Sequence, residues 1–201
     1  MTQPIQFVRP PAPEDQARAN FYAVLSRLFY APPDAGFLAA LASADELEAE
    51  DEALAKAWRE LCAAAAAGDV EALRDEFETT FVGTGKAPIT LYASAYSIRY
   101  SNETPLARLR SELADLGLAR RSDAGEPEDH IAALCDVMRH LIAEQQADLS
   151  IQKQFFGRWI RPGYEPLCAA IERRELGAFY KAAGRLTQSF FSLEQAGFEM
   201  L

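Results

Sequence analysis

Long apolar runs are missing from this chain, and no segment approaches the roughly 20 apolar residues that a membrane-crossing helix needs. Stable membrane insertion is therefore not expected. Cysteine is scarce: Cys62, Cys135 and Cys168 are odd in number, far apart and without a CxxC spacing, which excludes a disulfide framework and a zinc knuckle. They are expected to be reduced and buried. Histidine is scarcer still, with only His130 and His140. Glu126 and His130 lie four apart on one helical face, but no second Glu-x-x-His element completes a di-iron bundle site, so neither a metal nor a cofactor is expected. Lys/Arg-rich runs are absent, and 30 acids against 20 bases leave a formal net charge of -10, so nucleic acid is not an expected partner. The opening MTQPIQFVRPPAPEDQ lacks the basic-then-apolar order of a secretory signal, which makes a cytoplasmic location the expectation.

Catalytic signatures are missing as well. There is no GxSxG elbow, and no cysteine has a second feature that would mark it as a nucleophile. Gly85-Lys86 resembles part of a phosphate loop, but that motif needs glycine at 80, where Thr80 stands, and Ser or Thr at 87, where Ala87 stands. Lys86 is read as a solvated loop residue, and the protein as a non-enzyme.

What the chain does have is apolar residues, 49% of 201, enough to bury a substantial core. Alanine, leucine, glutamate and arginine dominate, and runs of alternating polarity are nearly absent. The expected fold is all-α, a single-domain bundle of about eight to ten helices.

Residues 1–13 hold four prolines and read as a flexible N-terminal arm, followed by one helical domain over 14–201. Glu14 and Asp15 start a first helix that carries Phe21, Leu25, Leu28 and Phe29 and stops at APPD, 31–34. A short helix with Phe37, Leu38 and Leu41 follows. A third, with Leu54, Trp58, Leu61 and Ala65, ends near Gly68, and a fourth places Val70, Leu73, Phe77 and Phe81 at helical spacing before Gly83. Periodicity then fails across 83–104, a connection long enough to be functional or disordered. It returns with Leu106, Leu109, Leu113 and Leu116, closed by Gly117. The polar stretch 118–125 is a candidate hinge for helix exchange, which leaves monomer and helix-exchanged homodimer both open. Later helices are expected over 148–160, 164–174 and 176–194.

The stretch Gly125-Glu126-Pro127-Glu128-Asp129-His130-Ile131 stands out. Pro127 suits a first helical position, where Glu128 and Asp129 complement the helix dipole and His130 falls about one turn in. The plain reading is an acid-rich helix start whose histidine caps or packs locally. A sharper reading is an interaction rim in which Asp129 or Glu126 orients His130 and the acids receive guanidinium or amide groups of a peptide. The helix carries Ile131, Leu134, Met138, Leu141 and Ile142 on one side. Leu134 and Met138 beside the acids would offer either an apolar groove or, for each residue taken singly, ordinary core.

NFYAVLSRLFYAPPD, EFETTFVGTGKAPITLYASAY, EPEDHIAALCDVMRHLIAEQ and FFGRWIRPGYEPLCAAI with FYKAAGRL, in this order over residues 17–194, resemble the TorD/DmsD/NarJ family of redox-enzyme maturation chaperones. Glu126-Pro127-x-Asp129-His130 is the most specific element of that resemblance. Pro88, Tyr92, Ser94 and Tyr96 are similar to the family's Pro…Tyr-x-Ser-x-Tyr loop, with Ala93 where an acid is common. The resemblance implies a cytoplasmic chaperone that binds the twin-arginine signal peptide, the apo-form, or both, of a molybdenum-cofactor oxidoreductase precursor and assists cofactor insertion before export. It further implies a peptide site at Asp129 and His130, with Glu126 and Pro127 fixing the turn and Tyr92, Ser94 and Tyr96 as a nearby wall. The alternative is an assembly adaptor for a non-exported metalloenzyme or respiratory subunit.

Overall fold

Helix α1 (Pro13–Tyr30) begins where the sequence places it, with Pro13 in the first turn beside Glu14 and Asp15. Proline is tolerated there because the N–H it lacks would have no partner inside the helix. The computed structural model describes residues 10–48, 50–97, 104–120 and 125–201. Most of the expected arm, residues 98–103 of the long connection, and 121–124 of the candidate hinge lie outside the described residues.

Three aspartates start the next three helices. Asp34, Asp51 and Asp69 each accept the backbone N–H of the third helical residue, from Phe37, Leu54 and Ala72 at 2.8, 2.8 and 2.9 Å. These caps open α2 (Ala35–Ala42), α3 (Glu52–Ala66) and α4 (Val70–Phe77). A π-helical turn, Glu78–Val82, extends α4 and ends at Gly83, whose φ of 66° suits glycine. A Cβ there would also meet the Lys86 carbonyl oxygen at 3.0 Å, because the chain doubles back.

The return is ordered rather than a free loop. Ile89 donates its N–H to Thr80 at 3.1 Å, and Ile89, Leu91 and Ala93 are buried. One helical turn, α5 (Ser94–Ser97), follows. Helix α6 (Pro105–Asp115) closes as Gly117 turns left-handed at φ 74°. Leu118 then donates to Leu113 at 2.8 Å and Gly117 to Ala114 at 3.0 Å, a paired C-terminal cap.

Helix α7 (Ile131–Ala143) departs from the sequence reading at its start. Pro127 is not its first residue. His130 is the capping residue, and 126–130 form a turn in which His130 donates its N–H to the Pro127 carbonyl at 3.1 Å. Farther on, the expected break between 160 and 164 does not occur. Helix α8 (Leu149–Phe155) runs through a π turn, Phe156–Ile160, directly into α9 (Arg161–Arg173). The wide turn brings Pro162 into the first turn of α9, where its missing N–H is tolerated. Helix α10 (Ala178–Glu199) continues past the expected end at 194.

The fold is all-α among the described residues, with one isolated antiparallel bridge between Tyr92 and His130. Helix α1 lies against α7, and α10 lies between α3 and α9. Gly184 lets α10 approach α9, since a Cβ there would meet Ile171 Cγ2 at 2.8 Å. One continuous core runs from Ala19 to Phe198. It includes Tyr22, Phe77, Leu134 and Met138, so the last two are interior residues and not walls of a groove. All three cysteines are free; Cys135 and Cys168 are buried, while Cys62 is only half-buried.

Candidate functional site

The acid-histidine turn and the tyrosine-serine loop, separated by more than thirty residues in sequence, close on each other as a short clasp. Its backbone part is an antiparallel pair of bonds: Ala93 donates to the Asp129 carbonyl at 2.9 Å, and Ile131 donates to the Leu91 carbonyl at 2.8 Å. This pairing explains why α7 does not begin at Pro127. His130 must stay extended, at φ -63° and ψ 135°, to bridge Tyr92, and an extended residue can cap a helix but cannot sit inside one.

His130 caps through its ring. Its Nδ1 accepts the Ala132 N–H at 3.2 Å, so the imidazole proton of the neutral form belongs on Nε2. Burial pushes the His130 pKa below the ordinary histidine value, against the opposing pull of Glu126 and Asp129. A second proton would also have to occupy the capping nitrogen. The plain reading of this histidine, a local cap, is what the structure contains, and no described hydrogen bond joins it to Asp129 or Glu126.

Each acid of the turn has a partner from elsewhere in the chain. The Tyr92 hydroxyl donates to Glu126 Oε2 at 2.7 Å, and this bond, with burial second, raises the phenol pKa to about 12. The Ser94 hydroxyl donates to Asp129 Oδ2, and Asp129 is buried. Arg110 of α6 places Nε and Nη2 on the two carboxylate oxygens of Glu128 at 2.9 and 3.0 Å, which holds that carboxyl below its usual range. Arg120 donates to the Glu126 carbonyl at 3.0 Å. Tyr92 also meets the His130 ring edge-on, with centroids 5.5 Å apart. The Tyr96 hydroxyl turns back to the Thr90 carbonyl at 2.9 Å and braces the loop from within.

The residues singled out in the sequence thus gather into one place. Tyr92 joins Glu126 and His130, Ser94 joins Asp129, Pro127 closes the turn, and Tyr96 supports the loop. Pro88 is exposed on the loop that leads in, as is Lys86. Ala93 packs against Gly163 of α9, where a glycine Cβ would come within 3.3 Å of it, so a larger residue at 93 would press on that helix. Arg110 was missed, and so was the active part played by Glu128. Their pairing crosses 18 positions and two separate elements, with no spacing rule to announce it.

A cleft of about 850 Å³ runs along the other side of α6, between it and the α8–π turn. Leu116, Ile151, Phe155 and Trp159 supply apolar walls, and Glu112 accepts from both Arg158 and the Trp159 indole, at 2.8 and 3.0 Å. No group of histidine, cysteine and acidic residues suited to a metal ion occurs among the described residues, and no described helix is long and apolar enough to cross a membrane.

Comparison with known proteins assigns this helical bundle to a family. The family model described as nitrate reductase delta subunit matches residues 47–168, more than half of the chain, and the protein belongs to this family, which includes the TorD and NarJ proteins. The TorD chaperone protein of Aliivibrio fischeri is 30% identical over 136 residues, covering 61% of this chain and 62% of that protein. The TorD of Photobacterium profundum is 30% identical over 139 residues, again with 62% of its length covered, so the chain matches somewhat under two thirds of these relatives. The TorD of Shewanella loihica is 28% identical over 200 residues, 90% of this chain and 93% of that one. A crystal structure of a candidate redox enzyme maturation protein from Archaeoglobus fulgidus shares the fold, with a TM-score of 0.56 over 96% of this chain and 98% of the other at 16% identity.

Proposed function

We propose that the protein is a cytoplasmic maturation chaperone that binds the twin-arginine signal peptide, the apo-form, or both, of a molybdenum-cofactor oxidoreductase and assists cofactor insertion before export. The observation that carries this reading is the clasped turn itself, three carboxylates and a capping histidine held at one end of α7, in a chain whose relatives are named chaperones. A twin-arginine signal is basic at its start and apolar behind, so its receptor needs acids next to an apolar surface. Glu126, Glu128 and Asp129 supply the acids. Leu134 and Met138 are spent on the core, so the apolar part of the peptide is assigned to the cleft whose accessible apolar lining is Leu116, Ile151 and Trp159. Helix α6 links the two, with Arg110 on the turn and Glu112 in the cleft.

The test is capture of client from the native lysate by tagged protein, with the wild type compared to Asp129→Asn and identification of the captured proteins. The expected result is a molybdoenzyme precursor with an intact twin-arginine leader, reduced about tenfold or more by the substitution, in line with loss of a charge-assisted contact. A folded variant that captures the precursor as well as the wild type would remove Asp129 from the site. The description of the matched family as a reductase subunit favours a second reading, an assembly adaptor for a non-exported metalloenzyme. Capture of a leaderless enzyme would select it.

A further inference from the structure

Among the turn's acids, Glu126 and Asp129 are held by hydroxyls, whereas Glu128 is held by a guanidinium. The two ends of that bidentate pair differ in their surroundings. The Glu128 side chain retains only 11% of its exposure, while Arg110 keeps 53%. The carboxylate is thus seated in the protein and the cation lies over it from the solvent side, extended from α6.

We propose that Arg110 is an autoinhibitory stand-in, filling at Glu128 the place that an arginine of the client peptide takes when it docks. The proposal rests on the peptide-binding reading above and adds a regulatory step to it. Exchange of one guanidinium for another leaves Glu128 with the same two charge-assisted bonds, so the carboxylate is never left bare, and the released Arg110 is already half in water. A lysine cannot make this exchange evenly, because an ammonium offers no planar fork for two oxygens. Docking would break the Arg110–Glu128 pair, whereas the bonds of Glu112 to Arg158 and Trp159 on the same helix involve neither residue and are left in place.

The experiment titrates the full chain with a labelled synthetic peptide carrying two adjacent arginines ahead of a short alanine-leucine segment, and with its twin-lysine counterpart. Removing a competitor held by a half-exposed ion pair is expected to tighten binding by about fivefold in Arg110→Ala. The gain should vanish when Glu128→Gln is added and should be absent for the twin-lysine peptide. Arg110→Lys, which keeps the charge and loses the fork, should fall between, and serves as the variant to read if Arg110→Ala does not retain wild-type helicity. Wild-type or weaker affinity in folded Arg110 variants, with the wild type still binding the twin-arginine peptide, overturns the autoinhibitory step and leaves the peptide-site reading standing. Absence of binding in every form, Arg110→Ala included, removes the peptide site and the inference with it.

Discussion

Replacing Glu194 by alanine tests whether a buried polar network, and not apolar packing alone, locks the first helix to the last. Glu194 of α10 accepts from Arg18 Nε at 2.7 Å, from Arg18 Nη2 at 2.9 Å and from the Tyr22 hydroxyl at 2.9 Å, and Arg18 also donates to Gln152 of α8 and to Asp15. Tyr22 is fully buried, so loss of the carboxylate leaves its hydroxyl without that acceptor and with no water to replace it, costing about 2 kcal/mol. Arg18 keeps two partners and 20% of its side-chain exposure, so its share is discounted to about 1 kcal/mol. The expected total is about 3 kcal/mol, or a fall in Tm of roughly 6 to 12 °C for a chain of this size. Urea unfolding followed by circular dichroism reads the first quantity, and a thermal scan the second. The decisive form is a double-mutant cycle with Tyr22→Phe, because the hydroxyl's share should disappear once the hydroxyl is gone, giving a coupling of about 1–2 kcal/mol. A loss below about 1 kcal/mol, or strict additivity in the cycle, would refute the idea that the buried Tyr22–Glu194 bond at the centre of this network acts as a lock.

Two further outcomes follow from single contacts. Gly184→Ala adds a good helix former to the interior of α10, which alone would stabilise by about 1 kcal/mol. The new Cβ meets the stiff Ile171 Cγ2 at 2.8 Å, so net destabilisation of about 1–2 kcal/mol in urea is expected, reversed in part by Ile171→Val if the clash is the cause. His130 has its folded-state pKa lowered by burial, so the unfolded chain takes up a proton first as the medium is acidified. Its contribution to stability is complete above the unfolded value near 6.5 and is lost as pH falls through the lowered folded one. Stability measured at a series of pH values should therefore fall less steeply below about 6.5 in His130→Gln than in the wild type, and parallel curves would show that His130 carries no such linkage.

The helices were legible because their determinants are local. Asp34, Asp51 and Asp69 stand where caps are needed, Gly83 and Gly117 where the backbone must turn left-handed, and the stripes of α1, α3, α4 and α7 repeat at helical spacing, so a short window of residues decides each element. The identity of the site's residues was legible too, since acids, a proline and a rare histidine in one short stretch are conspicuous in a chain with two histidines.

What the sequence by itself determined is therefore the all-α class, most of the longer helices and the two stretches that meet at the site, whereas the α5 turn and the unbroken run from α8 into α9 were not legible in it. Only the tertiary structure decided how the two stretches meet. The backbone of 91–93 claims the N–H and carbonyl groups of 129–131, which moves the start of α7 from Pro127 to His130 and turns a supposed first-turn histidine into its cap. Packing in the core settled Leu134 and Met138, and a guanidinium from α6 settled Glu128. These outcomes depend on groups far apart in the chain arriving at one point, and the free energy of a backbone bond or an ion pair formed there overrides the weaker local preference for where a helix begins.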